Sequence, residues 1–216
     1  MQSPVWKAFW TGFGALTFSQ FLMSLTTMID QFSAVSLGAG ANATLGYATR
    51  LLALALGLLS TAIARAVLPV FSDAVASGNY RMAAQQARMW AGGLFIVCVV
   101  GLPLAWWLTP MAVSLLYERG AFSNQDTIAV AQVVRYGLLQ VPFYVSAIVL
   151  IQLLLSQGKV KAMAAIALLS VAVKVVGNTL FAPMFGAAGI ALATSLMYAS
   201  STIAFWLIAL RRSDAI

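Results

Sequence analysis

The 216-residue sequence has no histidine and one cysteine, Cys98. Without histidine, imidazole acid–base chemistry and His-based metal ligation are excluded. One cysteine permits neither an intrachain disulfide nor a paired-cysteine site, and Cys98 reads as a small apolar residue inside a helix. Charge is also scarce: 8% of residues are charged, against roughly 25% in soluble domains. The five carboxylates are scattered, so no two-carboxylate active site is indicated. There is no phosphate-binding loop, zinc-protease string or nucleophile elbow, and no internal repeat stands out. The sequence therefore predicts no cofactor, no metal and no enzyme. What it has in excess is apolar surface, at 62% of residues with a mean hydropathy of +0.94. That excludes a soluble globular domain, a disordered chain and a disulfide scaffold, leaving an integral membrane protein. The net charge of +7 fits contact with anionic membrane lipids. It does not indicate a nucleic-acid partner, because no soluble basic face with interleaved aromatics is present.

A spanning helix needs about 20 residues. Six apolar runs qualify, at 9–37, 43–71, 82–109, 127–156, 162–181 and 187–210. Turn formers separate them: glycines at 38 and 40, Ser77-Gly78-Asn79, Gly120, Gly158, and Pro183 with Gly186. The runs do not alternate, which excludes a barrel. The expected fold class is all-α integral membrane, a six-transmembrane-helix bundle forming a single membrane domain over 1–216. Lys7, Arg81, Arg88, Lys159, Lys161, Arg211 and Arg212 fall on the side of the N-terminus, and only Arg119 falls opposite. This bias predicts both termini in the cytoplasm. Trp6, Trp10, Trp90, Trp106 and Trp107 fall near expected membrane boundaries, as an aromatic belt would. The first helix is too long for a cleaved signal and is expected to stay in the membrane. The stretch 111–124 is expected to lie on the outer membrane surface.

Five charges lie inside these spans: Asp30, Arg50, Arg65, Arg135 and Lys174. Each costs about 2.5–3.5 kcal/mol at mid-helix, so such residues face a bundle interior or a wet cavity unless they snorkel. Asp30, Arg50, Arg135 and Lys174 all sit about 10–12 Å from the outer ends of their helices. If they share a cavity, it is net positive and suits a phosphate-bearing ligand. Asp30 is too short to snorkel and needs a buried partner, with Arg50 the first choice. Arg65 lies nearer the inner end, placed for interface anchoring or an inner-leaflet headgroup. Thr17, Gln20, Ser24, Thr27 and Gln31 recur at helical spacing and share one face of the first helix. That face lines a wet cavity or bonds neighbouring helices. On the last helix, Ser195, Tyr198 and Thr202 read as interhelical bonds, with Gly189 and Ala193 giving a close-approach surface.

Several strings resemble the MviN/MurJ family of lipid II flippases, within the multidrug/oligosaccharidyl-lipid/polysaccharide exporter superfamily. Ile29-Asp30, the short Gly-rich turn and Tyr47-Ala48-Thr49-Arg50-Leu51 look like the family's seventh and eighth helices. Leu68-Pro69-Val70-Phe71-Ser72 and Ala76-Ser77-Gly78-Asn79 continue the match. Leu115-Leu116-Tyr117-Glu118-Arg119-Gly120-Ala121-Phe122, followed by Asp126-Thr127, is the most specific string. Asn178, Pro183 and the stretch from Gly189 to Ser195 complete it. The resemblance lies with the family's second lobe and marks a divergent or partial member. It implies a flippase lobe in the bacterial cytoplasmic (inner) membrane. Such a flippase carries a polyprenyl-pyrophosphate-linked glycan outward by alternating access, in peptidoglycan and cell-envelope biogenesis. Arg50 matches the family's functional arginine and Asp30 an acidic position. The implied substrate-binding set is Arg50 and Asp30, with Arg65, Lys174 and Arg135 added from their depth in the membrane. The implied partners are membrane lipids and a first lobe or a second copy. Ala53 stands where the family often carries an acid. Leu155-Ser156-Gln157-Gly158-Lys159-Val160-Lys161 replaces an aromatic-rich turn, and Arg135 and Lys174 have no clear counterpart. The alternatives are an O-antigen or exopolysaccharide lipid-carrier flippase, another exporter of the superfamily, a non-transporting membrane fragment or scaffold, and, weakest, a membrane enzyme on polyprenyl phosphates.

Overall fold

A computed structural model of the chain describes residues 4–38, 40–120 and 122–211. Of the basic residues used for orientation, Arg212 lies outside them. The helices are α1 (Pro4–Ser36), α2 (Ala41–Ala76), α3 (Tyr80–Tyr117), α4 (Asn124–Leu138), α5 (Val141–Ser156), α6 (Val160–Phe185) and α7 (Ala187–Arg211). Five are long and apolar enough to cross a membrane. The pair α4 and α5, bent by 43°, supplies a sixth span when taken together. The expected six-span, all-helical bundle is thus present.

The expected continuous helix over 127–156 is corrected to this broken pair. Pro142 has no N–H to offer the Leu138 carbonyl, and its ring crowds that carbonyl. The chain therefore restarts as α5 with the proline in its first turn, where the missing N–H costs nothing. At the break the Gln140 N–H bonds to the Gly137 carbonyl, one residue short of the helical partner Tyr136. Ser195 of α7 takes up the Tyr136 carbonyl at 2.9 Å. Thr202 bonds the Phe143 carbonyl at 2.8 Å. The last-helix stripe therefore works between helices, as its spacing suggested.

A second correction concerns 111–124. Its first part is not a surface loop, because α3 continues to Tyr117. The Tyr117 hydroxyl donates to the Tyr47 carbonyl, and its ring meets Tyr47 and Phe122. Ser123 and Asp126 then start α4 with a reciprocal capping box.

α6 and α7 form the tightest pair. A Cβ at Gly177 would lie 2.8 Å from that of Ala193, so small residues set the interaxial distance. α1 leans on α6 and meets α2 only lightly. α5 is the central helix, flanked by α2, α3 and α7. Two apolar clusters fill the interior. One gathers Phe71, Ala83, Leu150, Leu153 and Phe205. The other gathers Leu45, Val113, Val130, Val134 and Ile190. A polar layer separates them.

Candidate functional site

The polar layer surrounds a cavity of about 310 Å³. α1 contributes Thr26, Thr27 and Asp30, and α2 contributes Thr49. The α4–α5 break contributes Gln140 and Tyr144, α6 contributes Lys174, and α7 contributes Thr194 and Tyr198. The Lys174 ammonium stands 2.7 Å from Asp30 Oδ1, with side-chain exposures of 1% and 23%. Lys174 also donates to Thr194 Oγ1, which donates onward to the Ile190 carbonyl at 3.0 Å. Asn178, one turn along α6 from Lys174, donates from Nδ2 to Asp30 Oδ1 and to Ser33 Oγ, both at 3.0 Å. The i, i+4 spacing on α6 and the i, i+3 spacing on α1 put these four side chains on facing stripes. A charge at this depth persists only with a counter-charge and hydrogen bonds, and here each ion has both.

The expected Asp30–Arg50 pairing is therefore corrected to Asp30–Lys174. Asp30 follows the face of α1 that packs on α6. Arg50 is not among the α2 residues that line the cavity, which are Leu45, Thr49, Leu52, Ala53, Leu56 and Gly57. Lys174 is buried and does not snorkel. Arg50 is exposed and makes no hydrogen bond or ion pair among the described residues. Arg65, roughly 22 Å further along α2, is likewise exposed and unpartnered among them. Of the first-helix stripe, only Thr27 reaches the cavity. Thr17, Gln20, Ser24 and Gln31 lie exposed on α1.

Arg135 does not join the others either. Its Nε donates to the Trp106 carbonyl at 3.2 Å, with the guanidinium 5.9 Å from the Trp106 ring centroid. The helical partner of that carbonyl would be the N–H of residue 110, which is Pro110 and has none. Arg135 therefore satisfies a carbonyl that a proline has freed, which lets α3 pass Pro110. The two sites should be coupled. Arg135→Leu should lower the melting temperature in detergent, at a cost of about 1–3 kcal/mol for the orphaned carbonyl. In a Pro110→Ala background, where the helical bond is restored, most of that cost should vanish. Equal losses in both backgrounds would refute the assignment.

Sequence reasoning missed Gln140, Tyr144, Thr194 and Tyr198 as cavity residues and Asn178 as a partner of Asp30. The available signal was Pro142. A proline after an apolar half-span marks a break, and the turn beside it exposes polar groups inward.

The family model for the lipid II flippase MurJ matches residues 1–216. A Helicobacter pylori protein described as a probable lipid II flippase MurJ is 29% identical over 194 residues, covering 88% of this chain and 41% of its own length. A Rhizobium meliloti protein of the same description is 34% identical over 156 residues, covering 71% of this chain and 29% of its own. The chain thus spans well under half of the curated relatives it matches. Among solved structures, a lipid II flippase MurJ in an inward closed conformation superposes with a TM-score of 0.78 at 21% identity, over 91% of this chain and 41% of the other. A MOP superfamily transporter from Pyrococcus furiosus gives 0.79 at 14% identity, over 93% and 44%. At these identities the likeness shows the fold, a membrane-transporter fold of which this chain matches one part.

Proposed function

The chain belongs to the lipid II flippase MurJ family, and from that premise we propose that it supplies the second lobe of a flippase for a lipid II-like, polyprenyl-pyrophosphate-linked glycan. It acts in the bacterial inner membrane, in peptidoglycan assembly, without covalent chemistry. It functions as a single membrane domain with both termini cytoplasmic, set against a first lobe or a second copy. The two lobes rock to open the space between them to each side of the membrane in turn.

The observation that carries this reading is the contrast between Arg50 and the other buried-depth cations. Lys174 is neutralised by Asp30 and Arg135 is held by the Trp106 carbonyl, so both position helices. Arg50 is exposed, has no hydrogen-bond or ion-pair partner among the described residues, and directly follows Thr49, which lines the cavity from α2. A guanidinium left free in that setting is matched to a pyrophosphate, which it can grip in bidentate fashion. Arg65 lies on the same helix nearer the other end, where it meets the headgroup first. Asp30 orients α1 on α6 and does not silence Arg50.

The test is rescue of flippase-depleted cells by the full-length gene, with lipid II accessibility measured in parallel. Arg50→Ala should cut flipping roughly tenfold or more, the value of one charge-assisted bond to phosphate. Arg50→Lys should retain part of the activity, because an ammonium keeps the charge and loses the fork. Undiminished flipping in Arg50→Ala would remove the role assigned to it. Rescue of O-antigen export, with no effect on lipid II, would move the cargo to another lipid carrier.

A further inference from the structure

On the outside of the bundle a groove of about 380 Å³ runs over α5 between α3 and α7. α5 packs against both, while α3 and α7 barely meet. The groove is lined by Gly92, Phe95 and Ile96 from α3, Phe143 from α5, and Thr202, Ile203 and Trp206 from α7. The polar groups of its lining are hydrogen-bonded within the protein. Thr202 Oγ1 is bonded to the Phe143 and Tyr198 carbonyls, and Trp206 Nε1 donates to Ser146 Oγ. Gly92 keeps the groove wide, since a Cβ there would meet nothing within 4 Å.

Charge marks one end. Arg88, Gly92, Phe95 and Ile96 are spaced i, i+4, i+7 and i+8 on α3, so Arg88 continues the groove-lining stripe about 6 Å beyond Gly92. It is half-buried and has no ion pair among the described residues. Arg81 near the start of α3 and Arg211 at the end of α7 share that end of the bundle. A dry furrow at membrane depth takes hydrocarbon, and an arginine at its mouth takes phosphate.

We propose that this groove holds one hydrocarbon chain of an anionic glycerophospholipid, with the headgroup phosphate on Arg88. The site is separate from the cavity around Lys174 and from Arg50. The test is native mass spectrometry of the full chain, incubated with equal amounts of phosphatidylglycerol and phosphatidylcholine. Wild type should retain phosphatidylglycerol roughly tenfold over phosphatidylcholine. Arg88→Gln should keep bound lipid and lose the preference. Gly92→Leu, and independently Ile203→Trp, should fill the groove and reduce both adducts by a similar factor, at an unchanged melting temperature. Lipid retention undiminished in both filled variants overturns the site. A preference undiminished in Arg88→Gln overturns the headgroup contact. Displacement of phosphatidylglycerol by an equal amount of polyprenyl phosphate overturns the assignment to bulk phospholipid.

Discussion

Lys174→Met is expected to destabilise the bundle by about 3–5 kcal/mol, the cost of leaving one member of a buried ion pair without its partner. The side chain it removes is 1% exposed and bonded to Asp30 and Thr194. Asp30 would keep the Asn178 amide as its remaining donor, too little for a carboxylate at membrane depth. Asp30→Asn should also be costly, because it strands an ammonium whose side chain is 1% exposed. The double variant Asp30→Asn with Lys174→Met should recover most of the loss. It removes both charges, and residue 30 keeps an oxygen for Asn178. Chemical or thermal unfolding in detergent, read by tryptophan fluorescence, gives the coupling energy from the four proteins. Additive losses would mean that the two charges do not depend on each other, contrary to the 2.7 Å contact. The effect should concentrate on α1, which has few contacts other than those with α6.

The second large effect is expected at Gly189. A Cβ there would lie 2.1 Å from the Phe181 carbonyl oxygen and 2.5 Å from its carbon. Both are backbone atoms, so no rotamer change relieves the overlap. The α6–α7 turn must open instead, yet Gly186, with φ of 60°, fixes that turn tightly. Gly189→Ala should therefore cost at least about 3 kcal/mol, the upper end for overpacking. It should lower the yield of folded protein in membranes. Gly101→Ala is the matched control. Its Cβ would meet nothing within 4 Å, and exchanging Gly for Ala in a helix should gain up to about 1 kcal/mol. Similar behaviour of the two variants in a melting experiment would show that the close approach is not real.

The Asp30–Lys174 contact joins helices far apart in the chain and could not be read from the sequence, whereas Gly189 was legible there as part of a close-approach surface, though not its contact with the Phe181 carbonyl. Legible there were the absence of histidine and paired cysteine, the apolar runs, the turns and the rare charges within spans. These follow from local composition, because the energy of placing a segment in a bilayer sums over its own residues. The family strings added Arg50 as the residue to watch. Depth along each helix was legible as well, which groups Asp30, Arg50, Arg135 and Lys174 at one level. Azimuth was not. Four charges at one depth can meet only if their helices turn the right faces to one another, and that is set by side-chain packing across the bundle. Tertiary structure gave Asp30 to Lys174, set Arg135 under the carbonyl that Pro110 frees, and left Arg50 exposed with no partner among the described residues. It also divided the fourth span at Pro142, placing Gln140 and Tyr144 in the cavity. The sequence by itself determined that this is a membrane protein and which few charges it keeps. Only the packing of its helices decided which of those charges are satisfied within the protein and which, among the described residues, stay exposed and unpartnered.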